Sequence, residues 1–503
     1  MHSIIRQGAA AGEYFLIAER AEFARLRGQQ VVVVQGLGFV GAAVAAVAAD
    51  AAEFEREPRY FVIGLDLPTG AGRAKVAAIN GGRTPVVSPD EALNEMTRKA
   101  VDRGNLCATT DPRALSLADV IMVDVQLDVA LDGDGVTSRT EADLEPFADA
   151  IRTIGRFMRA EALVLVETTV PIGACDRIVK PILDEEREAR GMDAPLLLAH
   201  AYERVMPGPR YVDSIRRFWR SLAGIDERST ARAQEFLSTI VRTEEFPLCR
   251  LAEPAAGELA KLLENSYRAV NIAFIQEWTL LAERVGVNLF EIVESIRLRR
   301  GTHDNIRQPG FGVGGYCLTK DGALAQWAAR ELFGLDVNLE MTMRALGINR
   351  RMPLHTLELL EEAAAPLAGK RIALCGVSYL PEVGDTRHSP AEIFVRELNK
   401  TGAMTVAHDS YVKEWREMPD VPLFSDLRAA LQDADAVVFA VRHPEYAGMT
   451  PAEWLGMTGK PAAFVDAQNI ISDASAAALH LAGCRVIGVG KGHWRKRGYH
   501  IIK

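Results

Sequence analysis

The sequence has no excess of basic residues: 58 Lys and Arg stand against 67 Asp and Glu, a formal net charge of −9. Such a chain has no general attraction to nucleic acid or to an anionic membrane, so a bound anion needs a local pocket. Cysteine is also sparse, with six residues, no C-x-x-C pair and no Cys/His cluster at zinc spacing. These absences predict a cytoplasmic protein in a reducing compartment that works without a resident metal.

Membrane-targeting segments are lacking as well. The first thirty residues have scattered charges and no apolar region followed by a cleavage site, so a signal peptide is not expected. Residues 31–49 are nineteen residues with one polar side chain, Gln35, and are long enough to span a bilayer. Their internal order of strand, glycines and helix favours a different structure. With 503 residues, 48% of them hydrophobic, the chain is expected to form about three globular domains.

Residues 31–49 have the pattern of a dinucleotide-binding turn. Four valines at 31–34 suit a buried strand, three glycines then give G-x-G-x-x-G, and an alanine-rich helix follows. A second strand ends in Asp66, 25 residues after the last glycine, where a carboxylate can accept hydrogen bonds from a ribose 2′-hydroxyl. This pattern favours NAD over NADP. The predicted cofactor-binding residues are Gly36, Leu37, Gly38, Phe39, Val40, Gly41 and Asp66.

Alternating strands and helices continue beyond this turn, with strand-like runs at 120–125 and 162–170. From Arg371 onward the same alternation returns without a second G-x-G-x-x-G. The predicted fold class is α/β, with two Rossmann-like doubly wound domains joined by a long central helix. The predicted domains are an extension at 1–30, an NAD-binding domain at 31–215, a central helical dimerisation and catalytic region at 216–350, and a nucleotide-sugar-binding domain at 351–503.

The middle of the chain contains two segments with candidate catalytic side chains. Residues 258–285 contain no Gly or Pro and form a predicted long helix, on which Lys261 and Asn265 lie one turn apart on one face. On their own, these two residues are better explained as a solvated surface pair. A glycine-rich loop then precedes Cys317, which is either a small buried residue or a thiol nucleophile paired with Asp321, if a helix begins after the loop.

The loop at 379–390 of the second α/β domain suits a mononucleotide or a substrate phosphate. Arg387 is its most plausible anion contact. An ion pair with Glu382 or Asp385 is the alternative explanation for this arginine.

Taken together, the motifs resemble the UDP-glucose/GDP-mannose dehydrogenase family. The resemblance covers nearly everything from residue 30 on and keeps the family's order and spacing. It rests on GLGFVG (36–41), Asp66, TTVPIG (168–173), ERVMPG (203–208), KLLENSYRAVN (261–271), FGVGGYCLTKD (311–321) and GDTRHSP (384–390). It implies an N-terminal NAD domain, a homodimer formed through the central helix, and a C-terminal domain for the nucleotide of a nucleotide-sugar substrate.

The resemblance also implies a reaction: oxidation of the sugar C6 alcohol to a carboxylate by two hydride transfers to NAD⁺, through a thiohemiacetal and a thioester on Cys317. Lys261 and Asn265 then stabilise the negative charge on the C6 oxygen, and Asp321 holds Lys261 and a water. Glu203 is the general base and Thr169 orients water. The implied catalytic residues are therefore Cys317, Lys261, Asn265, Asp321, Glu203 and Thr169.

Binding roles follow from the same resemblance. Thr169 and Arg387 join the cofactor-binding set, and an arginine upstream of the glycine loop reaches across the dimer. The implied substrate-binding residues are Glu203, Arg204, Val205, Lys261, Asn265, Gly314, Gly315 and either Arg299 or Arg300.

The chain departs from the family pattern at three positions. Gln126 replaces a proline near the cofactor, Tyr202 replaces a proline before Glu203, and Leu380 replaces a lysine near the GDTR segment. Substrate signals conflict: GGYCLTKD is similar to the UDP-glucose branch, and ERVMPG to the branch acting on UDP-N-acetylhexosamines. We expect a nucleoside-diphosphate hexose, with UDP preferred over GDP.

The sequence leaves two alternatives open. One is a single-step 3-hydroxyacid dehydrogenase of the 6-phosphogluconate type, which shares an NAD domain and a helical lysine and has no use for a thiol. The other is a nucleotide-sugar sensor that binds without turnover. Retention of Cys317, Lys261, Asn265 and Asp321 argues against the sensor, because binding alone requires no nucleophile.

Overall fold

The computed structural model describes residues 2–52, 57–86, 88–131, 140–206 and 208–501. The chain divides into two compact units, each of which is described by itself. The first unit comprises Met1–Ala130, Glu141–Leu262 and Leu324–Val337, and the second comprises Leu131–Thr140, Leu263–Ala323 and Asn338–Lys503. Each unit is built on one parallel or mostly parallel sheet. The predicted α/β class with two Rossmann-like sheets is confirmed.

Strands and helices alternate along much of the chain. The strands are β1 (Gln30–Gln35), β2 (Tyr60–Leu65), β3 (Leu106–Thr109), β4 (Val120–Val123), β5 (Asp128–Leu131), β6 (Thr140–Asp143), β7 (Leu163–Val166), β8 (Leu197–His200), β9 (Ser221–Gly224), β10 (Cys249–Arg250), β11 (Arg371–Cys375), β12 (Met404–His408), β13 (Leu423–Phe424), β14 (Ala436–Phe439), β15 (Ala463–Asp466) and β16 (Arg485–Gly488). The helices are α1 (His2–Leu26), α2 (Phe39–Ala49), α3 (Gly70–Asn80), α4 (Glu91–Arg103), α5 (Glu145–Phe157), α6 (Lys180–Glu188), α7 (Tyr211–Arg216), α8 (Glu227–Leu237), α9 (Pro254–Val285), α10 (Leu289–Arg297), α11 (Asp321–Glu331), α12 (Glu340–Ala364), α13 (Pro390–Lys400), α14 (Leu427–Leu431), α15 (Pro444–Ala447), α16 (Pro451–Thr458), α17 (Asp473–Leu481) and α18 (Gly492–Lys496).

The sheet of the first unit has the order β10-β9-β8-β7-β4-β1-β2-β3. Its pairs are parallel except β8 with β9, and β2 is buried along its whole length, as expected for a strand covered on both faces. Strand β1 lies between β2 and β4, so the chain order reverses beside it. Ligands of open α/β sheets bind at such a reversal, outside the carboxyl ends of the strands. Strands β9 and β10 follow residue 215 and belong to the same sheet; the predicted domain boundaries themselves stay predictions.

The first thirty residues, for which the sequence predicts no function, form α1. Its described face buries Ile17, Ala21 and Ala24 in the first unit. The Tyr14 hydroxyl lies 3.1 Å from Ser116 Oγ, which ties the helix to the segment before β4. The extension is therefore part of the first unit.

The sheet of the second unit has the order β13-β12-β11-β14-β15-β16, and its neighbouring strands pair in parallel. Strand β11 occupies the central place that β1 occupies in the first sheet. The prediction of a second α/β domain after residue 371 is confirmed.

The predicted central helix is α9, which spans Pro254–Val285. The glycine-rich stretch before Cys317 is irregular, and α11 begins at Asp321. Residues 31–49, which have the length of a membrane span, instead form β1, the glycine turn and α2. Within the described ranges, no helix is long and apolar enough to cross a membrane.

Candidate active site

The glycine turn after β1 has the close contacts that a dinucleotide-binding turn requires. Gly36 has φ +99°, and a Cβ built there would lie 2.5 Å from the carbonyl oxygen of Asp124. A Cβ on Gly41 would lie 1.9 Å from the carbonyl oxygen of Gly36, so the start of α2 can pack on the strand only without a side chain. A Cβ on Gly38 meets no described atom within 4 Å. The turn is therefore closed on its protein side and open where a pyrophosphate would approach.

Asp66 adjoins this turn, as the sequence predicts for the ribose-binding acid. Its Oδ2 accepts a hydrogen bond from the backbone N–H of Leu37 at 3.0 Å and lies 3.0 Å from Lys75 Nζ. The Phe39 carbonyl accepts a hydrogen bond from the Tyr211 hydroxyl, and Val40 packs against the buried core. The residues present fit a dinucleotide: the turn, the helix N-terminus and the carboxylate lie at one edge of the sheet.

Thr169 lies in the TTVPIG loop after β7, partly exposed at the same carboxyl edge of the first sheet. Hydrogen bonds to Glu258 fix this loop: the N–H groups of Gly173 and Cys175 donate to its carboxylate at 2.5 and 2.8 Å. Glu258 lies on α9, so the central helix orients the segment that carries Thr169.

Glu203 and Lys261 form a buried pair. Lys261 Nζ donates to the carbonyl oxygen of Glu203 at 2.7 Å and lies 3.4 Å from its carboxylate Oε1. The ammonium also lies 5.4 Å from the ring centre of Tyr202, the residue that replaces the family's proline. The Glu203 carboxylate accepts a further hydrogen bond from the N–H of Val205. The structure thus places the predicted base and the predicted cation in direct contact.

Other residues of the ERVMPG segment flank this pair. Arg204 donates to the Tyr202 hydroxyl at 3.0 Å and to the carbonyl oxygen of Trp219. Its guanidinium stands 5.2 Å from the Tyr202 ring centre. Pro207 of the same motif lies outside the described residues.

Asn265 and Asp321 form the second contact that the sequence placed at the site. Asn265 Nδ2 donates to Asp321 Oδ2 at 2.7 Å. The other oxygen of Asp321 pairs with Lys320 Nζ at 3.1 Å, and both residues of this ion pair are buried. We expected Asp321 to hold Lys261; its side-chain partners in the structure are Asn265 and Lys320.

Cys317 is partly exposed, unlike Cys107, Cys175, Cys375 and Cys484, which are buried. Its carbonyl oxygen accepts the N–H groups of Lys320 at 3.2 Å and Asp321 at 3.0 Å, so the thiol stands at the turn that opens α11. Arg268, one turn beyond Asn265 on α9, lies within electrostatic reach of Cys317. Burial lowers the pKa of this arginine, and the nearby charge of Arg307 lowers it further.

Gly314 and Gly315 pack against the loop at 379–390 of the same unit. A Cβ on Gly314 would lie 2.7 Å from Pro390 Cδ, and one on Gly315 would lie 2.8 Å from the Tyr379 ring. Close approach to this loop explains both glycines without a ligand. Their predicted contact with substrate stays a prediction.

Three further arginines were predicted to bind the cofactor or the substrate, and none of them takes part in the contacts described above. Arg387 forms a two-point ion pair with Asp385, with Nε–Oδ1 at 3.0 Å and Nη2–Oδ2 at 2.8 Å, and its side chain is 37% exposed. The ion pair with Asp385 is the alternative that the sequence left open for this arginine, and its guanidinium also lies 5.7 Å from the ring centre of Tyr316. Arg299 and Arg300 are exposed in the turn after α10. Their role across a dimer stays a prediction.

Two functional residues were missed by sequence reasoning. Lys320 adjoins Asp321 in the GGYCLTKD motif, and a basic residue beside a predicted catalytic carboxylate is a usable signal. His200 ends β8 close to Lys261, and burial together with the lysine charge lowers its pKa to about 3. Because this histidine is neutral, it adds no positive charge next to the Lys261 ammonium. No pattern in the sequence indicates this contact.

The fold and the glycine turn define the class of protein: an NAD-dependent oxidoreductase with two Rossmann-like sheets. Models of three domains of the UDP-glucose/GDP-mannose dehydrogenase family match the chain. The NAD-binding domain matches residues 30–241, the central domain matches 255–351 and the UDP-binding domain matches 373–473. The chain belongs to this family, and NAD is its cofactor.

Individual relatives agree along nearly the full length. UDP-N-acetyl-D-mannosamine dehydrogenase of Pyrococcus horikoshii is 30% identical over 448 residues, covering 88% of this chain and 96% of its own. NDP-N-acetyl-D-galactosaminuronic acid dehydrogenase of Ralstonia nicotianae is 30% identical over 425 residues, covering 83% and 92%. The crystal structure of an enzyme with the same name from Methanosarcina mazei Go1 superposes with a TM-score of 0.75 at 27% identity, covering 95% and 98%. The hydroxyacid dehydrogenase alternative does not account for the matched UDP-binding domain.

Proposed function

We propose that this protein oxidises the C6 alcohol of a UDP-sugar, a UDP-N-acetylhexosamine or UDP-glucose, to the uronate in two NAD-dependent steps, with Cys317 as the covalent nucleophile. The observation that carries the proposal is the pair of contacts made by α9. On that single helix, Lys261 is bound to Glu203 and Asn265 is bound to Asp321, four positions apart. A cation and an amide donor on one helix face are what a developing C6 oxyanion requires.

In the first oxidation, Glu203 takes the proton of the C6 hydroxyl, directly or through a water oriented by Thr169. Lys261 and Asn265 stabilise the negative charge that develops on the oxygen, because their positions are fixed before the substrate reacts. The glycine turn and Asp66 would hold NAD⁺, which would supply the hydride acceptor for each oxidation. The first product is the aldehyde.

The second oxidation uses the thiol. Cys317 Sγ adds to the aldehyde carbon and the carbonyl oxygen gains a proton, which gives a thiohemiacetal. Loss of a second hydride and of the hydroxyl proton gives a thioester. Water then adds to the thioester carbonyl with Glu203 as base, the carbon–sulfur bond breaks, and the uronate and free thiol are released.

The relatives favour an N-acetylated sugar, since those of Pyrococcus horikoshii and Ralstonia nicotianae are named for such substrates. The match of the UDP-binding domain favours uridine as the nucleoside of the substrate. We therefore rank UDP-N-acetylhexosamines above UDP-glucose and both above GDP-sugars.

The test is to incubate the protein with NAD⁺ and a panel of UDP- and GDP-sugars while recording NADH absorbance and uronate. The expected result is two NADH per sugar with a UDP-N-acetylhexosamine. One NADH per sugar, or turnover of simple hydroxyacids alone, contradicts the proposal.

We further infer a homodimer through α9. The helix exposes a stripe of large apolar side chains at spacings of three, four and seven residues, and each is at least half exposed: Leu263, Tyr267, Phe274, Trp278, Leu281 and Val285. A contiguous apolar stripe of this kind is typical of an interface between subunits. Sedimentation equilibrium should give twice the chain mass of 54.9 kDa, and a monomer at micromolar concentration contradicts the inference.

A further inference from the structure

Two carboxyl groups meet at the carboxyl edge of the first sheet without an assigned role. Asp124 directly follows β4 and Glu167 directly follows β7, and the last residues of these strands, Val123 and Val166, are register partners. Asp124 also adjoins the cofactor turn, because a Cβ built on Gly41 would lie 3.0 Å from Asp124 Cβ. The pair therefore lies between the glycine turn and the loop that carries Thr169.

In the part of the chain that the structure describes, the unpartnered buried atoms at this pair are three carboxylate oxygens, against one donor on the adjoining arginine, Arg220 Nη1. Both Asp124 carboxylate oxygens and Glu167 Oε2 are buried and meet no hydrogen-bond donor among the described residues. Glu167 Oε1 is bound by Arg220, whose side chain is 2% exposed. Three buried acceptor oxygens without a donor are costly, and a proton on one of the two carboxyls supplies a donor between them.

The charged groups around the pair are few and can be named. Asp124 faces Glu167 from β7, Glu203 from the segment after β8, and Arg220 from the start of β9. The glycine turn on the remaining side brings no titratable side chain. Burial raises the pKa of Asp124 well above its ordinary value, and the charges of Glu167 and Glu203 add to that rise. Burial raises the pKa of Glu167 as well, against the opposing charge of Arg220.

The second sheet shows that the fold itself does not require these acids. In the matching order, β14 corresponds to β4 and β15 to β7. The residues directly after those two strands are Ala440 and Ala467, which are 2% and 0% exposed. Two methyl groups stand where the first sheet has two carboxyls. The acids are therefore not required by the fold and point to a function of the first sheet.

We propose that Asp124 and Glu167 hold one proton between them and that this proton-sharing pair is a positioning element for Glu203. With one shared proton, the pair carries one negative charge, which Arg220 neutralises, so the pair adds no net charge beside Glu203 and Lys261. When the pair loses its proton at alkaline pH, a second negative charge appears beside the reacting oxygen and opposes the oxyanion. The second half of this inference rests on the proposed role of Glu203 as base.

The shared proton is tested without turnover. Difference infrared spectra of the full-length protein at neutral pH should show the carbonyl stretch of a protonated carboxyl that disappears in Asp124→Asn. The control is Asp409→Asn in the second unit, since the His443 side chain and two backbone N–H groups lower the pKa of Asp409 against the effect of burial. This control should remove no protonated-carboxyl band. A wild-type spectrum without a band that depends on Asp124 overturns the proposal.

Positioning is tested by the pH profile of kcat with the best UDP-sugar substrate. An asparagine amide can donate to Glu167 and keeps the charge of the singly protonated pair, so Asp124→Asn should retain kcat at pH 7 within about threefold. The alkaline fall in kcat should move to higher pH by about one unit, which a purely structural role would not cause. An unchanged alkaline limb after loss of the infrared band contradicts the action on Glu203. Absence of NADH formation in the wild-type protein with every nucleotide sugar contradicts the proposed function, whereas the infrared result stands independently.

Discussion

The two sheets have the same strand order around their first strands, and the turns after those strands share their first glycine and differ, among other positions, at the one that Gly38 holds in the first turn. Gly36 and Gly376 have φ values of +99° and +95°, and each donates its N–H at 2.8 Å to the last residue of the neighbouring second strand. Each turn is also bound by an acid that follows that strand, Asp66 in one sheet and Asp409 in the other. The backbone plan is therefore common to both.

What differs is whether the turn is filled by its own side chains. Ser378 stands in the second sheet where Gly38 stands in the first, and its hydroxyl, buried with the rest of the residue, donates to the Leu380 carbonyl at 2.9 Å. Asp409 accepts two backbone N–H groups at 2.9 and 3.0 Å and lies 3.2 Å from His443 Nε2. The first turn leaves the same space open. In this protein the first turn is open to a dinucleotide because no described side chain fills the space beside Gly38.

The largest effect should come from the thiols, since each unit has one that is not buried: Cys317 in the second and Cys249 in the first. Cys317→Ser should lower uronate formation by about 10³-fold or more, because removal of a nucleophile eliminates the covalent step. NADH yield should fall from two to at most one per sugar. Cys249→Ser is the matched control and should leave both readouts unchanged. Uronate formed at the wild-type rate by Cys317→Ser would show that Cys317 is not the nucleophile.

The next effect should come from giving position 38 the serine that stands at the matching position of the second turn. Gly38→Ser meets open space in the free protein, so its melting temperature should stay within about 2 °C of wild type. Its hydroxymethyl group would occupy the approach of the pyrophosphate, and KM for NAD⁺ should rise by roughly tenfold or more. The reverse change, Ser378→Gly, should give no second NAD site by equilibrium dialysis. An unchanged KM in Gly38→Ser would show that an open turn is not what admits the cofactor.

Much of this comparison could be predicted from the sequence, because it depends on local patterns. The valine run, the glycine spacing and Asp66 predicted β1, its turn and the end of β2, since each is set by neighbours within a few residues. The long helix at 258–285 followed from an uninterrupted apolar period, and the structure extends it by four residues at its start.

Contacts made across long stretches of chain could not be predicted in the same way. Asn265 bonds Asp321 across 56 residues, and the sequence placed the two at one site without showing that they touch. Asp124 lies two residues before Gln126, where the chain departs from the family pattern, and the sequence predicts no role for it. Its protonation depends on burial beside Glu167 and Glu203, and burial is a property of the assembled sheet.

The smallest effect concerns the pH dependence of stability. The buried carboxyl groups of the two sheets should change stability in opposite directions as pH falls. The pKa of Asp409 is lowered in the folded protein, so its contribution to stability is present above the ordinary aspartate pKa of about 4 and is lost as pH falls through the lower folded value. Asp409→Asn should lower the free energy of unfolding by about 1 kcal/mol at pH 7 and by progressively less toward pH 3. Thermal unfolding at both pH values measures this, with exposed Asp420→Asn as the control. A difference that grows toward pH 3 contradicts the assignment.

The acid pair of the first sheet should respond in the opposite direction. The raised pKa values of Asp124 and Glu167 mean that the stability they contribute is present below the ordinary carboxyl pKa and is lost as pH rises through the folded values. Between pH 7 and pH 5, hydrogen-exchange protection of β4 and β7 should therefore rise relative to that of β11 and β12, after correction for intrinsic exchange rates. In Asp124→Asn the relative rise should shrink. Because the two sheets share strand order and differ in these acids, a rise of equal size in both would show that the buried charges do not set the difference between them.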